Sequence, residues 1–298
     1  MINSQEDANF WREQGVAFIT LIHLVDYKSG AAAIKPGFIP ALLNFKGLLR
    51  PNKKRGLTED GKQVIRWLAN AGIMIDLTHM SAQTRTDALN FMEQEGIPPI
   101  STHDVFKPIQ NHSRGIPEDE VLRFYELGGY IALPISGESL KAKNSREDYQ
   151  AQMDSLAAIG CYCDGSIHSY QFSYLAVKRH IESNLARFYL DSLATVSFDS
   201  LSEDEKVRFS IGFQSDFNGW LNHHRTIYGD KGCYELEEGK AYDLVEIAGM
   251  PNPSYMEDHW DWLRKKGVDL EPILRSSERF LQLWQQFLDD RGKFSAVE

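Results

Sequence analysis

Two histidines stand at the ends of two successive apolar segments of this chain. His79 closes residues 72–79, which read GIMIDLTH, and His103 closes residues 99–103, which read PISTH. A single histidine at such a place is more often a hydrogen-bonded structural residue, but neutral imidazoles are also common ligands of Zn²⁺. Because both segments end in the same Thr-His pair, the pattern favours metal ligation by His79 and His103.

Other polar residues lie at comparable places along the chain. His23 follows the apolar residues 16–22, Arg114 lies in the loop after His103, and Asp216 follows residues 209–213. A carboxylate beside a metal can handle the protons of an attacking water, so the set suits a metal-dependent hydrolase. Asp216 could instead shape a turn, but its place after the last predicted strand favours proton transfer.

Asp76 lies inside the segment that ends in His79 and has two interpretations. It could be a hydrogen-bond partner that orients an imidazole, as carboxylates near metal sites often are. It could equally be a buried carboxylate that is satisfied by backbone N–H groups. The sequence alone leaves both open.

A repeated strand, loop and helix pattern must position these side chains. Thr58 and Ser81 are predicted N-caps of helices that end near Gly72 and Gly96, and a third helix is predicted over residues 117–127. Continuous apolar strands separated by helices indicate parallel pairing and right-handed βα units, as in an α/β barrel. The active site of such a barrel lies at the carboxyl ends of its strands. The predicted strands are residues 16–22, 73–77, 99–102, 130–133 and 209–213.

Composition excludes several classes of function. The 298 residues are 42% hydrophobic and 25% charged, as in an ordinary globular protein, and the formal net charge of −10 disfavours nucleic acid as a partner. No apolar run approaches the roughly 20 residues of a membrane helix, and the polar start is unlike a signal peptide, so a cytoplasmic location is the default expectation. The three cysteines, Cys161, Cys163 and Cys233, are predicted to be reduced.

Several motifs, taken in order, resemble the membrane (renal) dipeptidase family of the amidohydrolase superfamily. The resemblance implies a (β/α)8 TIM barrel with a two-metal, usually zinc, centre that hydrolyses dipeptides through a zinc-bound hydroxide. It also implies a possible homodimer. The motifs are residues 56–61, 72–79, 101–103, 113–114, 128–129 and 215–219.

The resemblance assigns a role to each matching residue. His79 and His103 match the two histidine ligands of the second metal. His23 matches the histidine that contacts the substrate and the tetrahedral oxyanion, and Arg114 matches the arginine that holds the substrate carboxylate. Asp216 matches the acid/base aspartate that passes a proton to the leaving amine.

The chain also departs from the family pattern. The family's first-metal ligands, a His-x-Asp pair and a bridging glutamate, precede the segment that matches residues 16–22, and no His-x-Asp occurs before His23. By resemblance, about the last five βα units of the barrel are present. We expect one α/β-barrel metallopeptidase-like domain over residues 1–298, with an irregular insertion around 136–208 and C-terminal helices over 256–290.

Three functions therefore stay open at this stage. The first is a metal-dependent dipeptidase. The second is a catalytically inactive or truncated dipeptidase-like protein with a binding or structural role. The third is an amidohydrolase that acts on another amide or on a lactone, because a fold alone does not choose the substrate.

Overall fold

The structure, a computed structural model, describes residues 2–33, 44, 56–107, 112–134, 198–214, 226–249, 252–267 and 270–294. The chain forms two compact units, and each is built from separate stretches of sequence. Unit 1 comprises Met1–Asp104, Ser113–Ile131 and Ser276–Glu298, and unit 2 comprises Val105–His112 and Ala132–Arg275. The prediction of one domain over residues 1–298 stays a prediction, and most of the insertion expected around 136–208 lies outside the described residues.

Parallel strands form the sheet in the order in which they occur along the chain. In unit 1, β1 pairs with β2, β2 with β3, and β3 with the first two residues of β4. In unit 2, the rest of β4 pairs with β5. The predicted parallel α/β arrangement is confirmed. The strands are β1 (Phe18–Thr20), β2 (Met74–Asp76), β3 (Pro99–Ser101), β4 (Tyr130–Pro134) and β5 (Gly212–Gln214).

Helices connect and cover these strands in both units. Short 3₁₀ turns precede two of the helices in unit 2, at Phe198–Ser200 and Pro253–Tyr255. The helices of unit 1 are α1 (Gln5–Glu13), α2 (Glu59–Ala71), α3 (Ala82–Glu95), α4 (Glu118–Glu126) and α9 (Ser276–Asp289). Those of unit 2 are α5 (Glu203–Arg208), α6 (Leu244–Ala248), α7 (Met256–Lys265) and α8 (Glu271–Leu274).

The predicted ends of α2 and α3 are confirmed. The Thr58 side chain accepts the N–H of Gly61 at the start of α2, and Ser81 accepts the N–H of Thr84 at the start of α3. Each helix ends at a left-handed glycine, Gly72 with φ 78° and Gly96 with φ 68°. Side-chain acceptors satisfy the first N–H groups of a helix and glycine permits the turn after it, so local sequence was sufficient at both ends.

Two predictions about the C-terminal half are wrong in detail. β5 begins at Gly212 and not at residue 209, because a capping box between Ser202 and Glu205 starts α5, which reaches Arg208. Within the C-terminal helices predicted over residues 256–290, the part after residue 270 is divided at Arg275 into α8 and α9. The Pro272 carbonyl, which would accept the N–H of residue 276 in a continuous helix, receives the N–H of Ile211 at 3.0 Å.

Burial and cysteine chemistry give two further corrections. The apolar pattern of residues 16–22 predicts a buried strand, but Phe18 of β1 is 40% exposed. Its ring packs edge-on against Phe280 of α9, with 6.1 Å between centroids. Cys233 is disulfide-bonded, so the prediction of a reduced thiol is wrong for this residue. A cysteine's partner is set by the tertiary fold, which local sequence does not reveal. In the described part of the chain, every helix is too short or too polar to cross a membrane.

Candidate active site

Three imidazoles of unit 1 lie side by side beyond the carboxyl ends of β1, β2 and β3. His79 is the middle one, with its ring centroid 4.4 Å from that of His23 and 4.9 Å from that of His103. The Nε2 atoms of His79 and His103 approach to 2.9 Å. The structure thus brings together the two histidines that the Thr-His pattern singled out. Their role as metal ligands stays a prediction.

The backbone at His79 is strained. Its φ is 69°, and among the described residues it is the one non-glycine residue with a positive φ. Such a conformation costs roughly 1 kcal/mol or more and persists where the surrounding structure holds it. Here the His79 carbonyl accepts the N–H of Ala33 at 2.7 Å, and the His79 N–H donates to Asp104 Oδ1 at 3.4 Å. The side chain that this strain positions is almost fully buried.

Asp76 joins the ends of β1, β2 and β3. Its Oδ1 accepts from Thr78 N and Thr102 N, both at 3.1 Å, and from Thr78 Oγ1 at 2.6 Å. Its Oδ2 accepts from Thr20 Oγ1 at 2.6 Å and from Thr102 Oγ1 at 2.8 Å. The carboxylate is completely buried, so these protein donors replace the water that it loses.

Each of the two interpretations of Asp76 therefore agrees with part of the structure. Backbone N–H groups satisfy the carboxylate, as the structural interpretation expected. The same carboxylate also reaches an imidazole through one intervening side chain, because Thr102 Oγ1 lies 2.8 Å from His103 Nδ1. Thr78 and Thr102, the two threonines of the Thr-His pairs, both donate to Asp76.

Arg114 lies beside the imidazoles, and Arg85 holds its backbone through hydrogen bonds. Its NH1 is 3.3 Å from both ring nitrogens of His79. The buried guanidinium of Arg85 donates to the carbonyls of Arg114 at 3.1 Å and Gly115 at 2.9 Å, and its Nε donates to Glu120 Oε2 at 2.6 Å. The backbone that carries Arg114 is thereby tied to α3 and α4.

Asp104 is the second buried carboxylate of this region. Desolvation by burial raises the pKa of its carboxyl to about 6, although the positive charges of Arg114 and Arg85 act to lower it. Its Oδ1 lies 3.9 Å from Arg114 Nε. Asp104 therefore sits between the backbone of His79 and the guanidinium of Arg114.

The imidazole pair fits two ligands of a metal ion. Two nitrogens on one tetrahedral zinc would be roughly 3.3 Å apart, given Zn–N distances of ~2.0–2.1 Å. The Nε2 atoms of His79 and His103 are 2.9 Å apart, close to that separation. Within the described ranges, no group of three or more His, Cys, Asp or Glu side chains is arranged to hold a metal. Two imidazoles are fewer than the four ligands of a tetrahedral zinc site.

Asp216 lies outside the described residues, so its proton-transfer role stays a prediction. Sequence reasoning missed the parts played by Thr102, Arg85 and Glu120. Arg85 did leave a signal, since it shares the inward face of α3 with Ala88, Leu89 and Met92. A charged residue at a core-facing helical position needs a buried partner, and that partner is Glu120.

The chain is similar to known proteins in sequence and in fold. The sequence model of the family described as membrane dipeptidase (peptidase family M19) matches residues 1–180. Two uncharacterized dipeptidases of Schizosaccharomyces pombe are similar to this chain. One is 27% identical over 117 residues, which are 39% of this chain and 24% of the relative, and the other is 29% identical over 133 residues, 44% and 28% respectively. The matched stretch thus spans about a quarter of the length of these relatives.

Solved structures show the same fold. A probable dipeptidase, PvdM, from Pseudomonas aeruginosa superposes with a TM-score of 0.54 at 15% identity, over 96% of this chain and 66% of that one. An amidohydrolase from Pseudomonas aeruginosa superposes with a TM-score of 0.52 at 14% identity, over 95% and 69%. The predicted fold class, the α/β barrel type of the metal-dependent hydrolases, is confirmed.

Proposed function

Because this chain belongs to the membrane dipeptidase family, peptidase family M19, we propose that it acts as a metal-dependent hydrolase of dipeptides. The observation that carries the proposal is the 2.9 Å approach of His79 Nε2 to His103 Nε2 beyond the ends of β2 and β3. Parallel α/β barrels build their active sites at this end of the sheet. Zinc is the ion that the family resemblance and the two imidazole donors favour.

His79 and His103 would hold the ion through their Nε2 atoms. A bound Zn²⁺ would supply a nucleophilic water near neutral pH and would polarise the scissile carbonyl. Hydrogen bonds to Asp104 and Asp76 anchor the backbone of His79 and of Thr102, the residue before His103, so both imidazoles extend from a fixed backbone. Little side-chain entropy would then be lost when the ion binds.

Arg114 would bind the free carboxylate of the dipeptide. A guanidinium pairs with a carboxylate through two parallel hydrogen bonds, and Arg85 fixes the backbone from which Arg114 extends. A buried cation beside the imidazoles also attracts an anionic substrate end more strongly than an exposed one would. Recognition of that carboxylate selects short peptides over internal positions of a long chain.

His23 and Asp216 would act at the peptide bond that is cleaved. His23 is exposed next to His79, so its imidazole can contact the substrate and donate to the oxyanion that develops on the carbonyl. Asp216 would take the proton of the attacking water and pass it to the leaving amine, the role that the family resemblance gives it. Loss of either residue would then reduce kcat more than binding.

Metal content and hydrolysis, measured together, test the proposal. The purified chain is assayed for bound metal and for dipeptide cleavage with and without added Zn²⁺, beside His79→Ala, His103→Ala and the surface control Lys62→Ala. We expect Zn²⁺-dependent cleavage in the wild type and the control, and a loss of Zn²⁺ affinity of more than ~100-fold in both histidine variants. A wild-type chain that neither binds Zn²⁺ nor cleaves any dipeptide would overturn it.

A further inference from the structure

We propose that Thr102 is a positioning residue which, together with Asp76, holds His103 as the tautomer protonated at Nδ1. The Nε2 atom then carries the lone pair that a metal requires. This inference rests on the proposed function, because it explains how His103 is prepared for metal binding. It concerns the proton on an imidazole of the metal-free protein, which can be observed without any activity.

The assignment follows from counting protons along the chain of hydrogen bonds. Thr102 Oγ1 lies 2.8 Å from Asp76 Oδ2 and 2.8 Å from His103 Nδ1. A hydroxyl has one proton to donate, and a carboxylate can only accept. The Thr102 proton therefore goes to Asp76, and Thr102 meets the imidazole with an oxygen lone pair. The hydrogen between Thr102 and His103 must belong to Nδ1.

The surroundings of Asp76 keep it in the accepting role. Its Oδ1 accepts hydrogen bonds from the backbone N–H groups of Thr78 and Thr102. A backbone N–H can only donate, so the direction of these two bonds is fixed. Its Oδ2 is shared by the hydroxyls of Thr20 and Thr102. Five donors thus surround one buried carboxylate, and both of its oxygens act as acceptors.

Thr78 adds a second constraint on His103. Its hydroxyl donates to Asp76 Oδ1 and accepts the N–H groups of Thr102 at 2.9 Å and His103 at 3.4 Å. The two Thr-His pairs are thus linked by one carboxylate, with Thr78 fixing the backbone of His103 and Thr102 fixing its ring. Both threonines are buried, so water is poorly placed to take over either contact.

Three substitutions separate this role from a merely structural one. Thr102→Val keeps the shape but removes the hydroxyl, whereas Thr102→Ser keeps the hydroxyl. Asp76→Asn offers an amide that can donate to Thr102, which would turn the Thr102 proton towards His103 and favour protonation at Nε2. The serine variant is the matched control, since it should restore what valine loses.

The first readout is the tautomer of His103 in the metal-free protein. It is measured by ¹⁵N NMR of the histidine rings at about pH 8, above the ordinary histidine pKa of ~6.5, and the signal is assigned by its loss in His103→Gln. We expect Nδ1–H in the wild type and in Thr102→Ser, and a shift towards Nε2–H in Thr102→Val and Asp76→Asn. A wild-type His103 that is protonated at Nε2 would overturn the proposal, whatever the variants do.

The second readout is Zn²⁺ affinity, measured by competition with a chelator. We expect a 10- to 100-fold loss, as is typical for hydrogen-bond partners of metal-binding histidines, in Thr102→Val and less than ~3-fold in Thr102→Ser. Unchanged tautomer and affinity in a folded Thr102→Val would also overturn the proposal. A wild type that shows Nδ1–H but binds no Zn²⁺ would overturn the proposed function and leave the hydrogen-bond assignment supported.

Discussion

An ion pair between α3 and α4 of unit 1 is buried, whereas an ion pair on α7 of unit 2 lies largely in water. In unit 1, Arg85 Nε meets Glu120 Oε2 at 2.6 Å, with the two side chains 1% and 7% exposed. In unit 2, Arg264 NH1 meets Asp261 Oδ1 at the same 2.6 Å, with the two side chains 50% and 55% exposed. The two pairs match in charge and in distance, and they differ in the exposure of their side chains to solvent.

This difference in exposure determines how much each pair contributes to stability. An exposed pair gains little, because water screens the charges and ordering two long side chains costs entropy. A buried pair is held only when every donor has a partner, and Arg85 has three, which also fix the backbone of Arg114. Short contact distance alone would have ranked both pairs equally. Burial and directed hydrogen bonds distinguish the two pairs.

Arg85→Met should show the largest effect on stability. It removes a buried charge and leaves Glu120 without its ionic partner in a desolvated place, so we expect a loss of about 3–5 kcal/mol in the free energy of unfolding. Equilibrium unfolding in urea measures it. A loss below ~1 kcal/mol would mean that the buried pair is no stronger than an exposed one, and the contrast would fail.

His259 shows whether burial, and not membership of unit 1, governs the contrast. It is fully buried in α7 of unit 2, and burial lowers the pKa of its imidazole to about 3. The unfolded chain takes up a proton below pH ~6.5 while the folded chain does not, so stability should fall as pH drops from about 6.5 towards 3. The slope contributed by this residue is at most ~1.4 kcal/mol per pH unit.

The slope is measured by unfolding the wild type and His259→Phe at a series of pH values. Carboxylates also titrate over this range, so the difference between the two proteins isolates the imidazole. We expect the variant to lose stability less steeply on acidification. Parallel pH profiles for the two proteins would contradict the expectation.

Substitution at His79 should reveal the strain stored at the strand ends. Alanine and glycine both delete the imidazole, but only glycine adopts a φ of 69° without cost. His79→Gly should therefore be more stable than His79→Ala by about 1 kcal/mol, the reverse of the usual order of these residues. Denaturation of the two variants side by side measures it, and equal stabilities would show that the backbone relaxes when the imidazole is removed.

The smallest effect is expected on the surface of unit 2. Arg264→Met breaks a pair as short as that of Arg85, yet we expect its free energy of unfolding to stay within about 0.5 kcal/mol of the wild type. The same denaturation assay serves for both variants. A change as large as that of Arg85→Met would remove the distinction between the buried and the exposed pair.

Local signals in the sequence were enough for helix ends and for the two histidines. Thr58 and Ser81 cap their helices through bonds that span three residues, and the repeated Thr-His pair placed His79 and His103 at neighbouring strand ends. The hydrogen bonds that link Asp76, Thr102 and His103 depend on which strands are neighbours and on where the side chains point. Sequence patterns predict the neighbouring strands, but they do not predict the side-chain directions.

Features that depend on distant contacts were missed. The break between α8 and α9 follows from a bond between Pro272 and Ile211, and the disulfide of Cys233 follows from chain folding. The role of Arg85 is not visible locally, because its partners lie about 30 positions away. Its place on the apolar face of α3 is the one local signal. Asp216 had a role from resemblance, and its geometry lies outside the described residues.

The residues that follow α9 have a consequence for when unit 1 can fold during synthesis. The N–H of Gly292 donates to the Asn70 carbonyl at 3.2 Å, and the Asn70 side chain exchanges two hydrogen bonds with the backbone of Phe294, across 224 positions of sequence. Unit 1 therefore closes only after residue 294 has left the ribosome, although its catalytic candidates are synthesised in the first 114 residues. During that interval the apolar faces that α9 covers are accessible to chaperones. Protease resistance of ribosome-bound chains, arrested before and after this point, would reveal the delay.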